Sequence, residues 1–405
     1  MKTLPFNFLL LGLVVLLFSS CSSTPKNQNL NQSLDADSLK VATAHIQHYI
    51  DKGELAGFSA LVLKDGQEIV RLNEGYADRE NSKAMEANTI FRIFSMTKPI
   101  TAVALMTLYD EGKFELDDKV SKFIPEFSSA KVYTPGDNSY TLEEQENEVT
   151  IRHLLTHTSG ISYGWDPNSY VDSVYRATFD SAWDGKLEDK MPLLAEQPLN
   201  FQPGTQWLYG LSIDVAGFLV EVISGMSFDE YLQQKVFGPL KMDDTGFYVP
   251  EEKHERLCTL YSPAEDGSLI PSDDRFAEAF KQPATLLSGG GGLVSTIDDY
   301  ARFCTMLLNG GELDGVKVLE PTTVKMIMSD QLPEGAIYDN GKRGYGLAGA
   351  VDFETGEYSW AGAASTNFWI NPTDQLIIIT ATQIMPSNFK FGKEFKAKIE
   401  AAIKK

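Results

Sequence analysis

The chain has 405 residues, more than one hydrophobic core usually organises, and its 43% hydrophobic and 22% charged residues are those of an ordinary globular protein. Its 56 acidic residues outnumber 35 basic ones for a formal net charge of −21, which would repel nucleic-acid phosphate, so nucleic acid is excluded as a partner and solubility is the simpler meaning of the charge. No Cys or His cluster has metal-ligand spacing, and neither His-Glu-x-x-His nor a phosphate-binding loop occurs, so no metal site and no cofactor are expected.

Lys2 precedes an apolar run from Phe6 to Phe18, too short to span a bilayer, and Ser19-Ser20-Cys21 follows. Residues 1–21 therefore read as an export signal with Cys21 as a lipobox cysteine, although Phe18 stands where such signals usually carry Leu; an ordinary cleaved signal is the alternative. The expectation is an exported lipoprotein of the bacterial cell envelope, touching the membrane through its lipid anchor only. Residues 22–37 are polar, with Pro, Asn, Gln and Ser, and read as a tether. With Cys21 lipidated, Cys258 and Cys304 remain, and nothing in the sequence decides whether they pair.

From Ser38 to Lys52 a helical period (Val41, Ala44, Ile46, Ile50) predicts a covering helix. Two strands follow, Phe58 to Lys64 and Glu68 to Leu72, joined by an Asp65-Gly66 turn, with Asn73 to Asp78 leading away. Next, Phe91-Arg92-Ile93-Phe94-Ser95-Met96-Thr97-Lys98-Pro99 sets a serine and a lysine one turn apart at the start of a segment apolar nearly all round, which predicts a buried helix ending near Gly112. Pro99 fits only in the first turn, so Ser95 falls at the helix N-terminus, where free N–H groups favour developing negative charge. Ser95 is a candidate nucleophile and Lys98 its candidate base; equally, Ser95 could be a cap and Lys98 a snorkelling lysine. Spacing alone does not choose, because Ser-x-x-Lys recurs at Ser23/Lys26, Ser128/Lys131 and Ser387/Lys390 in polar, turn-rich or terminal sequence.

Residues 111–284 change texture, with short helical pieces, acidic runs and Tyr, Trp, Asp and Pro in long stretches, and read as a mostly helical lobe inserted into an α/β lobe made of 38–110 and 285–405. Within it, Thr150 to Gly160 predicts a short helix closed by Gly160, with His153 and His157 on one face. These histidines read as structural, since no third ligand or acidic partner has a defined position. Tyr209 sits just before an apolar helix through Leu219 and Ile223, and its contact with Ser95 and Lys98 is not visible in the sequence. Four glycines, 289–292, permit unusual dihedrals and close backbone approach, and Thr296 caps a helix through Phe303 and Leu307. Strands near Tyr345, from Tyr358, from Thr366 and from Gln375 return antiparallel to complete the sheet begun near residue 58.

Five segments, in this order, resemble the serine β-lactamase and penicillin-binding-protein superfamily in its class C-like branch, over roughly residues 40–390. They are Phe91-Arg-Ile-x-Ser-Met-Thr-Lys-Pro99, Arg152-His-Leu-Leu-Thr-His-Thr-Ser-Gly160, Pro203-Gly-x-x-Trp-x-Tyr209, Gly290-Gly-Gly-Leu-Val-Ser-Thr-x-Asp-Asp299 and Trp360-Ala-Gly362. The resemblance implies an α/β (α+β) fold of β-lactamase/transpeptidase type, an antiparallel sheet flanked by helices. It implies an acyl-enzyme at Ser95, proton transfer shared by Lys98 and Tyr209, and an oxyanion hole from the backbone N–H groups of Ser95 and Ala363.

Where penicillin-recognising members carry Tyr-x-Asn and Lys-Thr-Gly or His-x-Gly, this chain has Tyr209-Gly210-Leu211 and Trp360-Ala361-Gly362, so the amide and the charge expected to meet a β-lactam are missing. With Ser212-Ile-Asp-Val-x-Gly217, the pattern is similar to family VIII carboxylesterases. Leu211, Trp360, Ala361 and Gly362 then line an apolar pocket for small neutral esters. A β-lactamase or D-alanyl-D-alanine peptidase acting on a β-lactam or cell-wall peptide, and a catalytically silent penicillin-binding-like protein, are the alternatives. An α/β-hydrolase lacks its Gly-x-Ser-x-Gly.

Overall fold

In a computed structural model of the chain, which describes Met1 and residues 36–136, 139–179 and 185–403, the described residues from Ala36 onward form one compact unit. Cys21 and the signal and tether segments, 2–35, lie outside the described residues. Among the described residues no helix is long and apolar enough to cross a membrane.

The first strands are β1 (Gly57–Lys64), β2 (Gln67–Asp78) and β3 (Lys83–Ala84). The Asp65-Gly66 turn has φ of +51° and +74°, positive at both positions as a two-residue hairpin requires. β2 runs six residues beyond the end expected at Leu72, because Gly75, at φ +73°, bends the strand back onto Gly57 where a side chain would strike the Ala56 carbonyl 2.5 Å away. Five strands return from the C-terminal end: β4 (Arg343–Tyr345), β5 (Ala350–Asp352), β6 (Tyr358–Gly362), β7 (Thr366–Asn371) and β8 (Leu376–Ala381). The order is β4-β5-β6-β7-β8-β1-β2-β3, antiparallel at every pairing.

The two central strands are buried on both faces, and their alternation sorts side chains between two cores. Phe58, Ala60 and Val62 of β1 with Leu376 and Ile378 of β8 pack under α1 (Ala36–Asp51) and the C-terminal helix Lys390–Ile403, which contributes Phe391, Phe395 and Ile399. Leu61, Ile377 and Ile379 point the other way, into the large core shared with α2 (Thr97–Asp110) and the helix Ile297–Leu308. Each such fully buried aliphatic or aromatic side chain contributes about 1.5–3 kcal/mol. The fold is thus the mixed α/β architecture expected, with an antiparallel sheet between helices.

In residues 111–284 the regular structure is chiefly short helices joined by long irregular stretches, less helix than expected, with α3 (Ile151–Leu155), α4 (Tyr170–Phe179), α5 (Leu187–Ala195) and α6 (Ser212–Ser224) among them. They also contain two small hairpins, Val132–Pro135 with Tyr140–Glu143 and Tyr261–Pro263 with Leu269–Pro271. The strand Tyr140–Glu143 is exposed throughout, so it carries no hydrophobic alternation by which a sequence would reveal it. Cys258 and Cys304 are buried and unpaired.

Candidate active site

Ser95 lies in a tight turn, Phe94–Met96, between a two-residue strand (Phe91–Arg92, paired with Val294–Ser295) and α2. Phe94 has φ +40°, an unfavourable conformation for a bulky residue, and is clamped edge-on by Phe276 and Phe280 at ring distances of 5.3 and 5.6 Å. The buried guanidinium of Arg92 donates to the carbonyls of Cys258 (2.7 Å), Phe276 (2.8 Å) and Ala277, tying the approach to this turn to residues 258–277. Pro99 is the third residue of α2, and every residue from Thr97 to Leu108 is buried. The strained turn leaves Ser95 half-buried while the helix carries Lys98 fully inside.

Lys98 Nζ uses all three of its donors: to Ser95 Oγ at 3.1 Å, to the Tyr163 hydroxyl at 3.0 Å and to the Gly290 carbonyl at 2.6 Å. Its head also lies 4.5 Å from the centre of the Tyr209 ring, on whose face it makes a cation–π contact. The hydroxyl that bonds Lys98 is thus that of Tyr163, a contact the sequence left open; the Tyr209 hydroxyl is 3.4 Å from Trp360 Nε1. Burial, with Tyr209 and Asp214 nearby, pushes the Tyr163 hydroxyl well above its ordinary pKa, so it meets Lys98 as a neutral phenol.

Two backbone contacts bring these tyrosines together. Leu208 N donates to His157 O at 2.9 Å, and Gly210 lies so close to Ile161 O that a Cβ would stand 2.0 Å from it. A glycine after Tyr209 thus lets its loop lie on the segment that ends in Tyr163. Asp214, in the first turn of α6, accepts from Ser288 Oγ (2.5 Å) and Gly290 N (3.1 Å), both on Oδ1. It thereby fixes the loop whose Gly290 carbonyl receives Lys98, and burial raises its pKa despite these donors. The glycine run owes its composition to close approach: none of 289–292 is among the positive-φ glycines, but a Cβ on Gly290 would be 2.4 Å from Asp214 Oδ2.

On the sheet side, a Cβ on Gly362 would stand 2.2 Å from Ile93 O, so only glycine lets β6 approach the Ser95 turn this closely. Ala363 follows it. Ser95, Trp165 and Ala363 line two cavities at once. One, of about 430 Å³, is floored by Leu187, Met191, Leu194, Leu211 and Leu286; the other, of about 390 Å³, is walled by Tyr209, Tyr338, Trp360 and Ala361. The single pocket expected from Leu211, Trp360, Ala361 and Gly362 is therefore divided, with Leu211 on one side of Ser95, Trp360 and Ala361 on the other, and Gly362 against Ile93.

His153 and His157 do not share a helical face. α3 ends at Leu155 and His157 turns away at φ +55°, before Gly160 is reached. His153 completes a capping box, its Nδ1 accepting from Thr150 N at 3.2 Å, and burial lowers its pKa to about 4. His157 is packed among Tyr209, Trp207 and Tyr345, held neutral by burial and by Lys98. Among the described residues no group of three or more His, Cys, Asp or Glu side chains is arranged to hold a metal ion. Sequence reasoning missed Tyr163 and Asp214. Asp214 left a signal, an acid inside the apolar run from Leu211 to Ile223; Tyr163 left none.

A hydroxyl on a strained turn, a desolvated amine in contact with it and two cavities meeting there are suited to acyl transfer. Fold and site together define the class of serine hydrolases and acyltransferases that work through an acyl-enzyme. The family described as Beta-lactamase matches residues 42–403, and the chain belongs to that family. Protein Rv1367c of Mycobacterium tuberculosis is 34% identical over 368 residues, 85% of this chain and 89% of that protein. Esterase EstB of Burkholderia gladioli is 33% identical over 288 residues, 67% of this chain and 70% of its own. Among solved structures, EstCE1, described as a hydrolase with promiscuous acyltransferase activity, superposes with a TM-score of 0.77 at 25% identity, covering 90% of this chain and 98% of its own.

Proposed function

We propose that the protein is a carboxylesterase for small esters, with Ser95 as the acylated nucleophile. The observation that carries this is the 3.1 Å contact between Lys98 Nζ and Ser95 Oγ in a site whose neighbouring walls are apolar and aromatic. Lys98, as the free amine with its lone pair turned to Ser95 Oγ, takes the serine proton as Ser95 Oγ attacks the ester carbonyl, and passes it, with Tyr209, to the departing alkoxide. The backbone N–H groups of Ser95 and Ala363 receive the oxyanion of the tetrahedral intermediate. Water then hydrolyses the acyl-enzyme, or a second alcohol accepts the acyl group. Leu211 and Trp360 occupy the places where β-lactam-recognising relatives carry an amide and a cation, which favours esters over β-lactams and cell-wall peptides.

The test compares short p-nitrophenyl esters, a chromogenic cephalosporin and a D-Ala-D-Ala peptide on the wild type and Ser95→Ala. Ester turnover that vanishes in Ser95→Ala is expected; cephalosporin or peptide turnover without ester turnover reverses the ranking. A covalent serine probe that adds no mass at Ser95 makes the chain a binding protein. We also propose export and lipid attachment at Cys21, supported by the short apolar run and polar tether. A palmitate analogue fed to expressing cells should label the wild type and not Cys21→Ala, and equal labelling removes the anchor.

A further inference from the structure

The two cavities at Ser95 are the basic exception in an acidic chain. Five cationic side chains line them, Arg176, Lys190 and Arg275 on the Leu211 side and Arg343 and Lys393 on the Trp360 side. The one acid among the lining residues is Asp214, buried and already occupied by Ser288 and Gly290. Acids outnumber bases 56 to 35 over the whole chain, so this local reversal is the opposite of what composition alone gives.

The cations also differ in how far they are committed. Arg176 is spent on the carbonyls of Gly164 and Asp166, at 2.6 and 2.8 Å. Arg343 gives its Nε to Asp339 at 2.7 Å and keeps its forked Nη side for other partners, with the Tyr338 hydroxyl only at 3.4 Å. Lys393 is exposed and makes no ion pair with any described residue; its neighbour Glu394 is held away from it by His45 Nε2 at 2.7 Å and the Tyr49 hydroxyl at 2.8 Å. No acid lines the cavity that these two share with Ser95 and Trp360. On the other side of Ser95 the floor is leucine and methionine, which suits hydrocarbon.

Resting on the esterase reading, we propose that the preferred substrate is an ester with a carboxylate or phosphate group on the part that lies against Trp360, met by Arg343 and Lys393, and an apolar part in the Leu211 cavity. The aromatic walls hold the linking carbons, and the field of the five cations draws the anion towards Ser95. A neutral ester fits the same space without that attraction.

Matched esters test this. On the alcohol side the set is 4-acetoxybenzoate, 4-acetoxyphenyl phosphate and the neutral methyl 4-acetoxybenzoate; on the acyl side it is p-nitrophenyl hydrogen glutarate against p-nitrophenyl butyrate. At least one anionic ester should exceed its neutral partner in kcat/KM by roughly tenfold, a gain that shrinks as salt rises from about 0.02 to about 0.5 M. The carboxylate and phosphate arms tell which anion fits. In the Arg343→Gln/Lys393→Gln double variant the anionic-to-neutral ratio should fall about tenfold, through KM. Lys393→Gln alone, at an exposed position that folding does not need, should lower it in part. Neutral preference in both sets, or a ratio that survives the double variant, overturns the proposal while leaving the esterase reading in place. Absence of turnover with every ester, the neutral ones included, overturns both.

Discussion

Lys98 Nζ and the Tyr163 hydroxyl lie 3.0 Å apart although 65 residues separate them, and Tyr209 meets the same amine only with its ring face, 4.5 Å away. The two tyrosines therefore serve Lys98 differently, one by a hydrogen bond that orients the amine and the other by a π face that accepts its charge. With Lys98 and Tyr209 moving the proton, Tyr209→Phe should lower kcat at least roughly a hundredfold, and Tyr163→Phe, which leaves Lys98 two of its three partners, about tenfold with KM little changed. Steady-state kinetics on a p-nitrophenyl ester decide it. The reverse order of losses transfers the proton-passing role to Tyr163.

Gly362→Ala should be costly out of proportion to one methyl group. Its Cβ would stand 2.2 Å from Ile93 O and 2.4 Å from Thr366 Oγ1, so β6 has to move away from the Ser95 turn. A displacement of about 1 Å at a reacting centre costs on the order of a hundredfold in rate, and overpacking costs roughly 1–3 kcal/mol in stability. Kinetics and denaturant melts measure the two; unchanged kcat with only a stability loss shows that the strand does not position the chemistry.

At Asp214 charge and hydrogen bonding can be separated. Asp214→Ala leaves the Ser288 hydroxyl and the Gly290 N–H without their acceptor, and should cost roughly 2–4 kcal/mol together with most of the activity as the Gly290 carbonyl leaves Lys98. Asp214→Asn keeps an oxygen at the same place and should remain within about 1 kcal/mol of the wild type in urea unfolding. If the Asn variant is as unstable as the Ala variant, the negative charge and not the acceptor is what the loop needs.

His153 makes folding acid-sensitive. Its folded pKa is lowered to about 4 by burial, below the ordinary value of 6.5, and its Nδ1 must be unprotonated to accept from Thr150 N. The unfolded chain then takes up the proton first, so the stability tied to neutral His153 is present above pH 6.5 and is lost as pH falls towards 4. His157, lowered in the same direction, acts likewise. His153→Gln keeps a capping-box acceptor without a titrating ring, and should lose on the order of 2 kcal/mol less than the wild type between pH 7 and 4.5. Thermal melts across that range check it; parallel losses in both proteins put the sensitivity elsewhere.

What the sequence legibly carried follows from short-range physics. The buried helix after Ser95, the Asp65-Gly66 hairpin and the alternating C-terminal strands are each written in a local period or a turn dipeptide, because one burial geometry and one φ sign admit few residues. The C-terminal helix had the same signal in Phe391, Phe395 and Ile399, four residues apart, and went unread beside the stronger strand pattern before it. Spacing on one turn of chain allowed the Ser95–Lys98 contact but did not choose it over the three other Ser-x-x-Lys pairs; the order of the five segments did.

Local pattern could not say which of two tyrosines, 46 residues apart in the chain, gives its hydroxyl to Lys98, or that His157 leaves the helix it was counted in. Those outcomes depend on loops packed by contacts that have no period: Gly210 against Ile161 O, Leu208 N on His157 O, and Asp214 under Gly290. The same holds for the substrate side. The sequence, through the resemblance, placed apolar and aromatic residues beside the serine; only the tertiary structure divided them into two cavities and set Arg343 and Lys393 on the lining of one, β4 supplying the first and the C-terminal helix the second, because residues distant in the chain share a cavity only once the sheet and its helices are packed.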